Sequence, residues 1–188
     1  MSACAIGPGL STHYETAQVV RNIIQRLAIP MVIDADGLNA IAGSANILKK
    51  VKAPVVLTPH PGEMGRLLGL SSADVQKDRI GIASEFAVKY NVTLALKGAA
   101  TVVASPDGEV FINSTGNPGM ATGGTGDVLT GMIGSFLAQD YPAVQAACLG
   151  VYLHGLAGDL AAKEKGEMGM IAGDLIEKIP EAIKETVG

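Results

Sequence analysis

The sequence contains no tryptophan, and only 4% of its residues are aromatic. Proteins that bind single-stranded nucleic acid stack bases on aromatic side chains, so this scarcity argues against such a role. The formal net charge is −4 and no run of lysine or arginine occurs. Both features also argue against electrostatic binding to nucleic acid. Cysteine is also scarce. Cys4 and Cys148 are isolated thiols without metal-ligand spacing, and they are typical of a reducing compartment.

Long apolar runs of membrane-spanning length are absent from the sequence too. The opening MSACAIGPGL is apolar, but it has no basic leader and breaks at Gly7-Pro8-Gly9. This pattern is typical of a strand followed by a turn rather than of a signal peptide. We therefore expect a cytoplasmic protein with no membrane partner.

Hydrophobic residues, by contrast, are plentiful. They make up 48% of the 188 residues, and 24 glycines are spread along the chain without a low-complexity region. Mean hydropathy is +0.33, which gives ample material for a core. We predict one domain over residues 1–188.

Short apolar segments alternate with segments of helical periodicity. The predicted strands are 2–7, 30–35, 53–59 and 92–98, with a hairpin over 101–113. The predicted helices are 11–28, 61–69, 72–91 with Ser72 as its cap, 126–138, 142–163 and about 170–186. Strands joined by helices imply parallel crossovers, so we predict a three-layer α/β/α fold with a mostly parallel sheet.

In such sheets a ligand lies beyond the carboxyl ends of the strands. Each predicted strand meets a polar or glycine-rich loop there: GPGLS, DADGLN, TPHPGE and KGAAT in turn. Asp34 and Asp36 both occur at the end of an apolar strand. Carboxylates are unusual there, because burying a charged group costs free energy. Either could cap the following helix, or serve a ligand.

A glycine cluster precedes the helix predicted at 126–138. Residues 116–131 read GNPGMATGGTGDVLTG, with Gly123, Gly124 and Gly126 directly at the helix start. Unpaired N–H groups and the helix dipole make such a start suitable for an anion, and glycines let the backbone curl around a phosphate. Asp127 in the first turn could be a simple helix cap, or a general base for phosphoryl transfer. The pattern leaves both open.

The Gly-Thr-Gly-Asp order at this late helix start resembles the anion hole of the ribokinase-like superfamily. Further segments occur in a fixed order: IGPGL (6–10), VIDADGLNAI (32–41), VVLTPHPGEMGRLLG (55–69) and LALKGAATVVASPDGEVFINSTGNPGMATGGTGDVLTG (94–131). Together they resemble the ADP/ATP-dependent NAD(P)H-hydrate dehydratase family. The resemblance implies a ribokinase-like fold and the repair of (S)-NAD(P)H hydrate, whose ring hydroxyl is phosphorylated from ADP or ATP before phosphate is lost.

The family has a further glycine-rich βα region before the GPGL strand, so the resemblance implies a domain that is truncated at the amino terminus. It also often has glycine where this chain has Ser11. The missing region would line part of the substrate pocket.

The resemblance also assigns roles to residues. Asp127 would be the catalytic base. The substrate would contact Gly9, Asp36, Asn39, His60 and Asp127. The nucleotide would contact Lys97, Gly98, Ala99, Ala100, Thr101, Gly123, Gly124, Thr125 and Gly126.

Magnesium would be held indirectly, with Glu63 binding its water ligands. For His60 and Glu63 the alternative is a turn histidine and a helix cap; for Lys97 it is a solvated lysine at a strand end. His13 and His154 fall in helical segments and are predicted to be structural.

Two other functions fit the same sequence. One is a small-molecule kinase of the same superfamily, of the thiamine-precursor type, whose product keeps its phosphate. The other is a nucleotide-binding or assembly module without catalysis, because an incomplete parallel sheet exposes an edge strand. The family resemblance further implies a homo-oligomer of unspecified size.

Overall fold

One six-stranded sheet, with its strands in chain order, organises the computed structural model, which describes residues 2–188. The strands are β1 (Cys4–Ile6), β2 (Met31–Ile33), β3 (Val55–Leu57), β4 (Thr93–Leu96), β5 (Val102–Ala104) and β6 (Val110–Ile112). Neighbours from β1 to β4 pair in parallel, whereas β4–β5 and β5–β6 pair antiparallel. The predicted mostly parallel sheet and the hairpin are therefore confirmed.

Helices cover both faces of the sheet. The first layer is α1 (Tyr14–Arg26), α2 (Ala35–Ile41), α3 (Pro61–Leu68), α4 (Ser72–Lys77) and α5 (Arg79–Tyr90), with a 3₁₀ turn over Ala45–Lys50. The second is α6 (Thr125–Ala138), α7 (Ala143–Lys165) and α8 (Ala172–Val187), after a 3₁₀ turn at Pro118–Met120. Helix α8 packs on α6 and α7. This is the predicted three-layer arrangement.

Strands β2 to β5 are buried along their whole length, and their side chains alternate between two cores. In β2, Met31 and Ile33 pack against the first helical layer, while Val32 packs against α6 and α7. Successive side chains of a strand point to opposite faces, so a strand covered twice is apolar at every position. That is why these segments show short continuous apolar runs.

The predicted helix 72–91 is wrong in one respect, because the structure breaks it at Asp78. The Asp78 carboxylate accepts a hydrogen bond from the Gly81 N–H (2.8 Å) and so caps a new helix, α5. Ser71, not Ser72, caps α4, since its hydroxyl accepts from the Asp74 N–H (3.1 Å). A side chain that satisfies helical N–H groups locally competes with continuation of the helix, and periodicity alone does not reveal it.

The parallel strands β1 to β4 all point their carboxyl ends toward one edge of the sheet. The loops that follow them gather at that edge, and the start of α6 reaches it from the second layer, because Thr130 contacts Asp34 at the end of β2. Within residues 2–188, no helix is long and apolar enough to cross a bilayer.

Candidate active site

Helix α6 begins at the glycine cluster with unpaired backbone donors. Gly124 precedes its first residue with φ of +90°, a left-handed conformation that glycine adopts without steric cost. The N–H groups of residues 123–126 find no acceptor within residues 2–188. The Thr125 hydroxyl is turned inward and contacts the carbonyl oxygens of Met120 (2.8 Å) and Thr122 (2.9 Å), which shapes the loop. Unpaired amides at a helix start suit an anion, and we call the N–H groups of residues 123–126 the cradle.

Asp127 lies in the first turn of α6 and is exposed. Its backbone N–H donates to the Gly124 carbonyl oxygen (3.1 Å), but its carboxylate accepts no hydrogen bond from any residue between 2 and 188. Capping through the Asp127 side chain is therefore not observed in the part of the chain that is described. The carboxylate stands beside the cradle, open to a ligand.

A buried ionic network lies directly beneath the cradle. Asp34, only 1% exposed, uses both carboxylate oxygens: Oδ1 accepts from Lys97 Nζ (2.7 Å) and Oδ2 from the Thr130 hydroxyl (2.8 Å). Lys97 Nζ also lies 3.8 Å from Glu63 Oε2. A Cβ placed on Gly126 would come within 3.4 Å of the Lys97 ammonium, so glycine keeps this approach open. Lys97 is thus not a solvated strand-end lysine, and Asp34 does not cap α2 with its side chain.

His60 and Glu63 cap helix α3 together. The His60 N–H donates to Glu63 Oε2 (2.8 Å), and the Gly62 N–H donates to His60 Nδ1 (3.0 Å). Because Nδ1 is an acceptor, the imidazole is the tautomer with its proton on Nε2, which lies 3.3 Å from Glu63 Oε1. Half of the His60 side chain is exposed, whereas Glu63 is buried. Both residues therefore cap the helix, and His60 keeps a face open to a ligand.

Glu63 does not suit a direct metal ligand in this arrangement. Its carboxylate already receives the His60 N–H and lies near the Lys97 ammonium. No group of three or more histidine, cysteine, aspartate or glutamate side chains within residues 2–188 could hold a metal ion. Magnesium commonly binds proteins through one or two carboxylates together with substrate phosphates. The described residues thus fit at most a water-mediated contact from Glu63.

Asp36 and Asn39 belong to a separate network that fixes the loop after β1. Asp36 accepts from the Ser11 N–H (2.8 Å) and from Asn39 Nδ2 (3.1 Å), and Asn39 Oδ1 accepts from Arg66 Nε (2.8 Å). Ser11 has φ of +72°, the left-handed region in which glycine is the natural residue. Gly9, in the same loop, is exposed and also has φ of +72°. Asp36 therefore holds the loop that presents Gly9.

Arg79 clamps the loop formed by residues 97–101, a role that sequence reasoning missed. Its guanidinium donates to the carbonyl oxygens of Leu96 (3.0 Å), Ala99 (2.6 Å) and Ala100 (3.0 Å). Burial lowers the pKa of Arg79 from its usual value. Ala100 has φ of +54°, a conformation that an isolated alanine disfavours, so the loop needs such support. The sequence indicates this role of Arg79 only indirectly, because Arg79 directly follows Asp78, which caps α5.

Asp159 of α7 performs a similar task for the loop before the cradle. Its two oxygens accept from the Gly116 N–H (2.9 Å) and from Asn117 Nδ2 (2.9 Å), while Asn117 Oδ1 accepts from the Gly119 N–H (3.0 Å). Asp159 is more than forty residues from the loop it holds, so no local pattern pointed to it.

Among the predicted site residues, the structure brings Lys97, Glu63 and His60 together below and beside Gly126. This arrangement of an α/β/α fold, a glycine-rich helix start and a strand-end lysine defines a ribokinase-like protein. A ribokinase-like superfamily protein from Enterococcus faecalis V583 superimposes with a TM-score of 0.83 at 31% identity, over 98% of this chain and 63% of that one.

The family model of NAD(P)H-hydrate dehydratase matches residues 1–181, so the chain belongs to that family. A bifunctional NAD(P)H-hydrate repair enzyme Nnr from Moorella thermoacetica is 51% identical over 180 residues, which are 96% of this chain and 34% of that protein. ADP/ATP-dependent NAD(P)H-hydrate dehydratase from Bacillus subtilis, co-crystallised with ATP/Mg²⁺, has a TM-score of 0.86 at 37% identity, over 97% of this chain and 64% of its own. The chain thus spans about a third of the Moorella enzyme and just under two thirds of the Bacillus one.

Proposed function

We propose that this chain carries out, as a single domain, the ADP- or ATP-dependent dehydration of (S)-NAD(P)H hydrate to NAD(P)H. The observation that carries the proposal is the cradle of unpaired N–H groups at residues 123–126, with the open carboxylate of Asp127 on one side and Lys97 beneath. Membership of the dehydratase family supports the choice of substrate. The Bacillus subtilis relative was co-crystallised with ATP/Mg²⁺, which supports the choice of donor.

The nucleotide occupies the loop of residues 97–101 and reaches the cradle with its terminal phosphate. Gly126 leaves room for the Lys97 ammonium below the cradle, and Gly98 leaves room for the Arg79 guanidinium that clamps the loop. Thr125 contributes its backbone N–H, since its hydroxyl is used within the loop. Glu63 would hold a magnesium ion bound to the phosphates through the water ligands of that ion.

The hydrated nicotinamide ring lies on the other side of the cradle. The open face of His60 and the loop carrying Gly9 contact it, with Asp36 and Asn39 holding that loop in place. We further propose that the chain is cytoplasmic and that it self-associates. Sedimentation of the purified protein tests the self-association.

Asp127 takes the proton of the ring hydroxyl as its oxygen attacks the terminal phosphorus, and AMP or ADP leaves. The N–H groups of residues 123–126 stabilise the charge on the transferred phosphoryl group. The ring nitrogen then donates its electron pair as the carbon–oxygen bond breaks and phosphate leaves. Loss of a proton from the adjacent ring carbon restores the double bond of NAD(P)H.

The Asp127→Asn variant tests this assignment. Turnover of hydrated NADH, followed by the returning absorbance of reduced nicotinamide, should fall at least about a hundredfold because the general base is gone. The nucleotide dissociation constant should change little. Asp107→Asn is the matched control, because Asp107 is an exposed aspartate in the hairpin turn after β5, at the opposite edge of the sheet.

The same assay separates the alternatives. Absorbance recovery with release of phosphate supports the dehydratase, whereas a phosphorylated product without recovery indicates a kinase. Nucleotide binding without either product indicates a non-catalytic module. Turnover of Asp127→Asn within a few-fold of the unmodified chain contradicts the assignment of the base.

A further inference from the structure

We propose that Asp34 is a positioning residue that fixes the first turn of α6 and the Lys97 ammonium relative to each other. The inference rests on the proposed function, because that function gives the first turn of α6 its phosphate and its base. Asp34 itself is buried and reaches neither. It acts through the two side chains bound to its two oxygens, Thr130 and Lys97.

The first link runs from Asp34 to the helix. Thr130 follows Gly126 by four residues and Asp127 by three, so its side chain projects on the same side of α6 as the cradle, one turn further along. Its buried hydroxyl donates to Asp34 Oδ2 at 2.8 Å. Asp34 directly follows β2. The hydrogen bond therefore ties the carboxyl end of an interior strand to the helical turn that directly follows the candidate base.

The second link runs from Asp34 to the ammonium. Lys97 directly follows β4, and its Nζ lies 2.7 Å from Asp34 Oδ1 but 3.8 Å from Glu63 Oε2. A hydrogen-bonded carboxylate at the shorter distance dominates the position of the ammonium. Since a Cβ on Gly126 would lie 3.4 Å from Nζ and 3.8 Å from Asp34 Oδ2, the pair is seated directly below the cradle.

Packing does not require this network. Elsewhere between the sheet and α6, Val32, Leu129 and Ile133 fill the interface with apolar side chains. Burying a carboxylate carries a desolvation cost, and replacing buried ion pairs with apolar groups is often neutral or stabilising. Asp34, Lys97 and Thr130 are costly to bury, yet they lie together under the proposed reaction centre. We infer that they contribute by fixing the geometry of that centre.

The test begins with amide hydrogen exchange, which needs no turnover. Thr130→Val removes the hydroxyl at nearly constant volume and should speed exchange of the amides of residues 127–130 at least about tenfold. Thr130→Ser, which keeps the hydroxyl, should restore the slow exchange. Thr93→Val is the matched control, because Thr93 is equally buried but lies in β4 outside the network.

Steady-state kinetics supply the second readout. Thr130→Val should lower kcat at least about tenfold with a nearly unchanged KM for ADP, because the base is misplaced while Lys97 stays bound to Asp34. Asp34→Asn should lower kcat and also alter the KM for ADP, because it releases both partners. If the role is merely structural, the decrease in kcat should instead equal the fraction of inactive protein. The stoichiometry of ADP binding measures that fraction.

Two results overturn the inference: unchanged exchange in Thr130→Val, whatever its activity, and faster exchange with kcat within threefold of the unmodified chain. Failure of the unmodified chain to regenerate NADH refutes the proposed function alone. In that case exchange and the ADP dissociation constant of Asp34→Asn still decide the inference.

Discussion

His154 makes the stability of the fold depend on pH. Its Nε2 donates to the Thr125 carbonyl oxygen at 2.8 Å, which ties α7 to the first residue of α6. Burial, helped by the nearby charge of Lys97 and opposed by this hydrogen bond, lowers the pKa of His154 to about 4 from 6.5. The imidazole is therefore neutral in the folded protein near neutral pH, which agrees with its predicted structural role.

We expect the free energy of unfolding to fall as pH decreases from 6.5 to 4, because the unfolded chain binds a proton at His154 before the folded chain does. A pKa change from 6.5 to about 4 corresponds to a loss of about 3 kcal/mol by pH 4 and almost none above about pH 7. Urea unfolding of the chain and of His154→Gln across this range checks it. If the free energy of unfolding changes equally with pH in the two proteins, His154 is not the cause.

At the scale of elements, the break between α4 and α5 has a consequence for the loop of residues 97–101. Asp78 starts α5 and Arg79 is its first residue, so the cap places the guanidinium against two carbonyl oxygens of that loop and against that of Leu96 just before it. Hydrogen bonds to a charged donor contribute about 1.5–3 kcal/mol each where no water replaces them. The start of α5 therefore also fixes the conformation of this loop.

Arg79→Gln should weaken ADP binding about tenfold, because the loop loses the clamp that holds its nucleotide-binding conformation. Isothermal titration with ADP measures the change. Arg26→Gln, which removes an exposed arginine at the end of α1, is the control for charge. An equal loss of affinity in both variants would show that net charge, rather than the loop, is responsible.

Elements with a strong local signal could be predicted from the sequence, whereas their long-range partners could not. The apolar strands, the hairpin at residues 105–108 and the helix after Gly124 agree with the structure because each depends on nearby residues. Asp34 was recognisable as a costly buried carboxylate, but its partner Thr130 lies 96 positions away. Choosing that partner requires knowing which helix covers β2, and a single sequence does not contain that information.

At the scale of the whole molecule, the site joins both helical layers. Helix α3 of the first layer supplies Glu63, the end of β4 supplies Lys97, and the second layer supplies the cradle and Thr130. A ligand held by both layers binds only the assembled fold, so its binding free energy adds to that of folding.

ADP at a hundred times its dissociation constant should stabilise the chain by about 2.7 kcal/mol. For a domain of this size the expected rise in Tm is roughly 5–10 °C, measurable by thermal unfolding. Asp127→Asn should keep the rise and Lys97→Met should lose much of it, with exposed Lys52→Met as the control. Absence of the rise in the unmodified chain would contradict nucleotide binding itself.

The two faces of the sheet are completed at different times during translation. Helices α1 to α5 are interleaved with the strands they cover, but the other face, with Val32, Val56, Ala95 and Val103, is covered only by residues after 124. At roughly 5–20 residues per second, a ribosome needs several seconds to make that remainder. A nascent chain therefore presents a bare aliphatic surface during this interval, which makes early termination after β6 a route to aggregation rather than to a smaller working protein.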